Sequence, residues 1–95
     1  MKRICVIDGQ GGGIGAAVIR YVKEAYGETV ELIALGTNAI AASQMLKAGA
    51  NRAASGENAI VRTTQTVDVI IGQQKTVKAQ LKRMNLVNHR IVFGS

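Results

Sequence analysis

A three-layer α/β domain is what this sequence predicts, with a mainly parallel sheet of four or five strands, a strand order near 3-2-1-4-5 and helices on both faces. Three observations lead there. Apolar runs stop at glycine again and again, at Gly9, Gly36, Gly72 and Gly94, with a weaker case at Gly56. Stretches of helical periodicity lie between those runs, and alternating strands and helices are the order of a parallel sheet with crossover helices. The 95 residues are 47% hydrophobic with 11 glycines and no proline, which suits one tightly layered domain over residues 1–95 with a modest core.

Ile4, Cys5, Val6 and Ile7 form a continuous apolar run that ends at Asp8-Gly9, the pattern of a first strand buried on both faces. Ile14, Ala17, Val18, Tyr21, Val22 and Ala25 then recur at helical spacing, with Arg20, Lys23 and Glu24 opposite them, and Gly27 closes the helix. Val30 to Leu35 is a second strand. Gly36-Thr37-Asn38-Ala39-Ile40 and Gly56-Glu57-Asn58-Ala59-Ile60 repeat one G-x-N-A-I pattern and read as the same joint used twice. Glycine ends an extended segment, the Asn or the residue before it caps a new helix, and Ala-Ile begins the buried face. The joints predict helices over about residues 39–48 and 57–66, with Arg52 to Ser55 as a short edge strand between them. Val67 to Ile71 predicts a further strand, residues 74–85 a basic helix with Val77, Leu81 and Met84 on one face, and Arg90 to Phe93 the last strand.

The functional signal is concentrated in Asp8-Gly9-Gln10-Gly11-Gly12-Gly13-Ile14-Gly15, where the first strand empties into a helix. Such a turn leaves backbone N–H groups unpaired at the positive end of the helix dipole, which suits phosphate, and glycine lets a ligand come close to the backbone. Gly9, Gly11, Gly12, Gly13 and Gly15, with Gln10 and Ile14, therefore form a candidate nucleotide-phosphate loop. Thr37, Asn38, Ser55 and the stretch from Gly72 to Lys75 complete its rim, because the ends of parallel strands share one edge of the sheet. The competing reading is a tight turn that needs glycine for packing alone. Asp8 has two readings, a ligand for a magnesium ion beside the phosphate or a cap for the glycine turn. Asn38 and Asn58 likewise either read ribose and base edges or cap helices.

Net charge is +6, with seven basic and six acidic residues up to Gly72 and five basic and no acidic ones after it. The Lys75, Lys78, Lys82, Arg83 set is a solvated helix face, a phosphate clamp or a nucleic-acid footprint. Two Tyr, one Phe and no Trp argue against stacking on single strands. Lone Cys5 allows no disulfide within the chain and reads as a small buried hydrophobe, and His89, the only histidine, has no partner for a zinc set or a Cys/His nucleophile pair. The four-residue apolar run is too short for a signal peptide or a membrane span, so a cytoplasmic protein is expected. Mean hydropathy of +0.14 and alanine-rich helices predict a homodimer. On the ligand edge only Asp8 and Lys75 are placed to meet, so the inventory favours binding over catalysis. Three functions stay open: a domain binding a nucleotide or phosphorylated metabolite, a structural or interaction module without ligand, and a nucleic-acid binder acting through the basic helix.

Gly9, Gly13, Ile14 and Gly15 resemble the G-x-x-x-G-I-G phosphate loop of the short-chain dehydrogenases. That likeness implies NAD(P) or another nucleotide as cofactor, though the end of the second strand has Gly36-Thr37-Asn38 where an acid would bind the ribose, and the Tyr-x-x-x-Lys of that family is absent. A second resemblance covers residues 4–72. The strand leading into Asp8 to Gly15, Ala34 to Ala39 (ALGTNA), Leu46 to Asn51 (LKAGAN), Gly56 to Ile60 (GENAI) and Val67 to Gly72 (VDVIIG) are similar in order to a small bacterial family, domain-of-unknown-function family 3842. It implies a compact Rossmann-like α/β protein with no assigned activity. After Gly72 the sequence departs from that pattern into Gln73-Gln74-Lys75 and the basic helix.

Overall fold

The computed structural model describes residues 1–80 and 89–94. Five strands, β1 (Lys2–Asp8), β2 (Val30–Gly36), β3 (Arg52–Ser55), β4 (Val69–Gln73) and β5 (Arg90–Gly94), form one sheet. Its order is β3-β2-β1-β4-β5 and every pairing is parallel. The helices among the described residues are α1 (Gly13–Tyr26), α2 (Ala39–Lys47), α3 (Glu57–Thr64) and α4 (Gln74–Gln80). This is the expected Rossmann-like α/β fold. No helix among the described residues is long and apolar enough to cross a membrane.

Alternation along the central strands sorts the core into two layers. On one face Ile4, Val6, Leu32 and Ala34 pack under Ile19 and Val22 of α1 and Ala41 and Met45 of α2. On the other, Cys5, Ile7, Ile33, Leu35 and Ile70 pack with Val67 and with Ile60 of α3. Gly72 lies on that second face, where a Cβ would stand 2.6 Å from Val77 Cγ2 of α4. Burial on both faces explains why β1 and β2 read as unbroken apolar runs.

Three details differ from the sequence reading. The buried stripe of α1 is Gly15, Ala16, Ile19 and Val22, whereas Ile14 and Tyr21 are 53% and 72% exposed; small residues at the start of α1 let its backbone settle onto the sheet, turning the larger ones outward. Second, β4 begins at Val69, because the Asp68 carboxylate accepts the Arg3 N–H (2.9 Å) ahead of the ladder while Val67 turns into the core. Third, Ile40 is 68% exposed and begins no buried face. Helix α4 is described from Gln74 to Gln80 with Val77 buried; the expectations for Leu81, Lys82, Arg83 and Met84 lie outside the described residues.

Candidate functional site

With β1 central, the chain passes first to β2 and β3 on one side and then to β4 and β5 on the other. The crevice between the ends of β1 and β4 is therefore the point where the winding reverses, the place where open α/β sheets bind ligands. A cleft of about 740 Å³ opens there. Its floor and one wall are Asp8, Gly9, Gln10, Gly11, Gly12, Gly13 and Ile14, its margin toward β2 is Thr37, and its far wall is Gln73, Lys75, Thr76, Ala79 and Gln80. Lys75, Thr76, Ala79 and Gln80 share one side of α4 by their spacing. Gln73 falls within the expected rim stretch, whereas Thr76, Ala79 and Gln80 were not legible as site residues, since only the true end of β4 shows which side of α4 lines the cleft.

The loop is built by Asp8. Gly12, the residue before α1, offers no side-chain cap, and the Asp8 carboxylate supplies one, reaching the N–H of Gly15 seven residues downstream. Asp8 Oδ2 accepts the Gly15 N–H (2.6 Å) and Oδ1 accepts the Gly9 N–H (2.8 Å), with the side chain buried. The capping reading of Asp8 thus has direct geometry behind it, a third-position N–H satisfied as an ordinary N-cap would do. Within the loop the Gly12 N–H donates to the Gly9 carbonyl (3.0 Å). Gln10 in that turn has φ 50°, the one positive value outside glycine among the described residues, a conformation costing roughly 1–2 kcal/mol. Gly12 has φ 75° and a Cβ there would lie 2.7 Å from the Ala41 carbonyl oxygen.

The glycines divide by cause. Gly15 is a packing glycine, since a Cβ would meet Met45 Sδ and Asp8 Cβ, and it does not line the cleft. Gly9 and Gly12 face the Thr37 side chain and the α2 backbone at short range. Gly11 and Gly13 have nothing within 4 Å of a built Cβ and no positive φ, yet both are exposed in the cleft. At the start of α1 the Gly15 N–H is taken by Asp8 and the Ala16 N–H by the Gly12 carbonyl (2.8 Å). Those of Gly13 and Ile14 have no acceptor among the described residues, which leaves two donors open at the positive end of a 14-residue helix.

The remaining candidates separate. Thr37 and exposed Lys75 stand in the cleft. Asn38 caps α2, its Oδ1 accepting the Ala41 N–H (2.9 Å) while Nδ2 donates to the Gln10 carbonyl (3.1 Å), so it ties the α2 start to the loop instead of facing a ligand. Ser55 ends β3 beyond β2 and Gly72 is buried in β4; neither lines the cleft. Asn58 lies inside the first turn of α3, behind the capping residue Gly56. Cys5 is buried, and loss of solvation pushes its thiol up to about 12, so it offers no thiolate near neutrality. Among the described residues no three of His, Cys, Asp and Glu gather as a metal site.

A family model described as a domain of unknown function, DUF3842, matches residues 3–83, and the chain belongs to that family. Neither the curated proteins nor the solved structures contain a match.

Proposed function

We propose that this protein binds a nucleotide or a phosphorylated metabolite in the cleft between β1 and β4, with the phosphate on the glycine loop. One observation carries the reading. Gly11 and Gly13 meet no neighbour that would exclude a side chain and have no φ that demands glycine, so packing does not account for them. A ligand approaching the backbone does. The open N–H groups of Gly13 and Ile14 supply donors and Lys75 supplies charge, offsetting the Asp8 carboxylate beneath the loop. That carboxylate accepts hydrogen bonds from two backbone N–H groups, which supports a role for Asp8 in holding the loop that receives the phosphate.

The test is thermal unfolding of purified protein with panels of NAD(P), ATP, flavin, coenzyme A and sugar phosphates. A ligand present at a hundred times its Kd should stabilise the fold by about 2.7 kcal/mol. Gly13→Val, whose Cβ enters open space, should keep the melting temperature and remove the ligand shift. Equal shifts in the wild type and Gly13→Val would overturn the proposal.

A second proposal, the homodimer, is favoured by the uneven cover of the sheet. Helices α1 and α2 shield β1 and β2, but Val69 and Ile71 of β4 are only half-buried on that face and their neighbour Val92 of β5 is 44% exposed. With Ile14 and Tyr21 alongside on α1, these residues supply apolar surface for a second copy. Light scattering at high micromolar concentration should return twice the 10.0 kDa chain mass; a strict monomer would rule it out.

A further inference from the structure

The two edges of the sheet are built differently. Edge strand β3 is four residues long and polar at both ends, with the exposed Arg52 guanidinium 3.5 Å from Glu31 Oε2. Shortness and charge are the usual means of keeping an edge from pairing with another chain. The other edge strand, β5, carries no charge over its last four residues, Ile91-Val92-Phe93-Gly94. Val92 and Phe93 project to opposite faces of the sheet, and each is 44% exposed. Backbone phase tells which groups of β5 face outward. The Arg90 N–H donates to the Asp68 carbonyl (3.2 Å), so Arg90 and Val92 turn their backbone groups toward β4 in the parallel ladder. Alternation then points the N–H and C=O of Ile91 and Phe93 to the outer edge, where no strand pairs among the described residues.

This edge is self-complementary. Two copies of β5 set antiparallel about a two-fold axis at Val92 place Ile91 opposite the partner's Phe93 as a hydrogen-bonded pair, and the axis repeats that pair, for four N–H···O bonds. The two Val92 side chains then face each other as the closer, non-bonded pair between them, and an aromatic ring beside a β-branched residue is a favourable cross-strand pair. Arg90 falls opposite Gly94 of the partner subunit. The two Arg90 residues lie about 14 Å apart at 3.4 Å per residue, beyond the range of their repulsion at physiological salt. Joining β5 to β3 of another copy would instead run head to tail into an open filament, against the guarded edge. We infer that a second copy of this chain adds to β5 in the antiparallel way, making one continuous sheet from two of five strands. The inference rests on the homodimer reading above and fixes its contact at the β5 edge with Val92 on the axis. Because a five-residue strand pair buries little area, the dimer is a weak one, dissociating in the micromolar range.

Sedimentation equilibrium of the full chain across that range tests it. Val92→Lys and Val92→Glu set like charges face to face, and each alone should weaken self-association roughly tenfold, whereas an equimolar mixture of the two should recover an affinity within about threefold of the wild type. Phe93→Pro removes an N–H that points away from β4, so circular dichroism should show the fold intact while the dimer weakens at least tenfold through the loss of two hydrogen bonds. The charge mixture keeps the test decisive if the proline variant folds poorly. A wild-type dimer that Phe93→Pro, folded, leaves unchanged would overturn this inference alone. So would one that both charge variants leave unchanged, or one that both abolish and their mixture does not restore. A strict wild-type monomer at high micromolar concentration would overturn the homodimer reading and this inference with it.

Discussion

Gly36-Thr37-Asn38-Ala39-Ile40 and Gly56-Glu57-Asn58-Ala59-Ile60 differ at one position, yet Ile60 is fully buried and Ile40 is 68% exposed. The difference is one of phase. Asn38 is the N-cap of α2, which puts Ile40 at the second helical position; Gly56, with φ 97°, is the N-cap of α3, which puts Ile60 at the fourth. Two positions turn a side chain by about 200° around a helix. Asn38 caps because the glycine loop holds it, through the bond from Nδ2 to the Gln10 carbonyl. Among the described residues no such hydrogen bond holds Asn58, next to edge strand β3, and the chain passes from Ser55 through Gly56 alone into α3. The two joints even touch, the Gly56 N–H donating to the Gly36 carbonyl (3.0 Å). A pentapeptide therefore specifies a helix start, and its tertiary neighbour chooses the register.

The contrast is sharpest at the isoleucines. Ile60→Ala should cost about 2–5 kcal/mol in urea unfolding, the usual range for truncating a buried isoleucine, while Ile40→Ala should stay within about 0.5 kcal/mol; equal losses would break the comparison. The glycines come next. At Gly36 a Cβ would lie 2.5 Å from the Ala42 nitrogen, so Gly36→Ala should destabilise by about 1–3 kcal/mol through overpacking. Gly56→Ala meets open space, but at φ 97°, ψ 162° it enters a region essentially restricted to glycine and should lose about 1–3 kcal/mol through backbone strain alone.

Asn38→Ala removes the α2 cap and its link to the loop, and a loss of about 0.5–2 kcal/mol is expected, against no measurable change for Asn58→Ala. Thermal melts followed by circular dichroism resolve that pair. A small effect should also come from Glu57→Thr, which makes the two pentapeptides identical. It should lose about 0.3–1 kcal/mol of interaction with the helix dipole and leave Gly56 as the cap. NMR chemical shifts that move the start of α3 to Ala59 would show that residue 57 sets the register after all.

The sheet was legible because its evidence is local and repeated. Apolar runs buried on both faces, as in Ile4 to Ile7 and Leu32 to Leu35, do not depend on their neighbours for interpretation, and their parallel order follows from the crossover helices. The phase of α1 was not legible. Its stripe through Gly15, Ala16 and Ile19 is set by the Asp8 carboxylate fixing the Gly15 N–H, a contact that no hydrophobic period reports. The site divides in the same way. Its glycine wall stands in the sequence, and so does Lys75. Gln73 lay within the expected rim, but Thr76 and Gln80 enter only because β4 ends two residues later than its apolar run suggests. Ser55 dropped out because sharing a sheet edge is a weaker condition than facing one crevice.

The central place of β1 also sets the order in which the molecule can assemble. Lys2 pairs with Val30, whereas Ile4 must wait for Val69 before its other edge is closed. In equilibrium terms the longer closure costs little, about 0.6 kcal/mol for each doubling of the loop, but in time it is decisive, because distant pairings form late. The β1–α1–β2 unit is thus poised to form first. Until β4 arrives, β1 presents one whole backbone edge and the apolar residues Ile4 to Ile7 to whatever else is nearby. A chain cut short of Val69 would keep that edge indefinitely, and aggregation in place of a smaller folded domain is the outcome such a truncation should give.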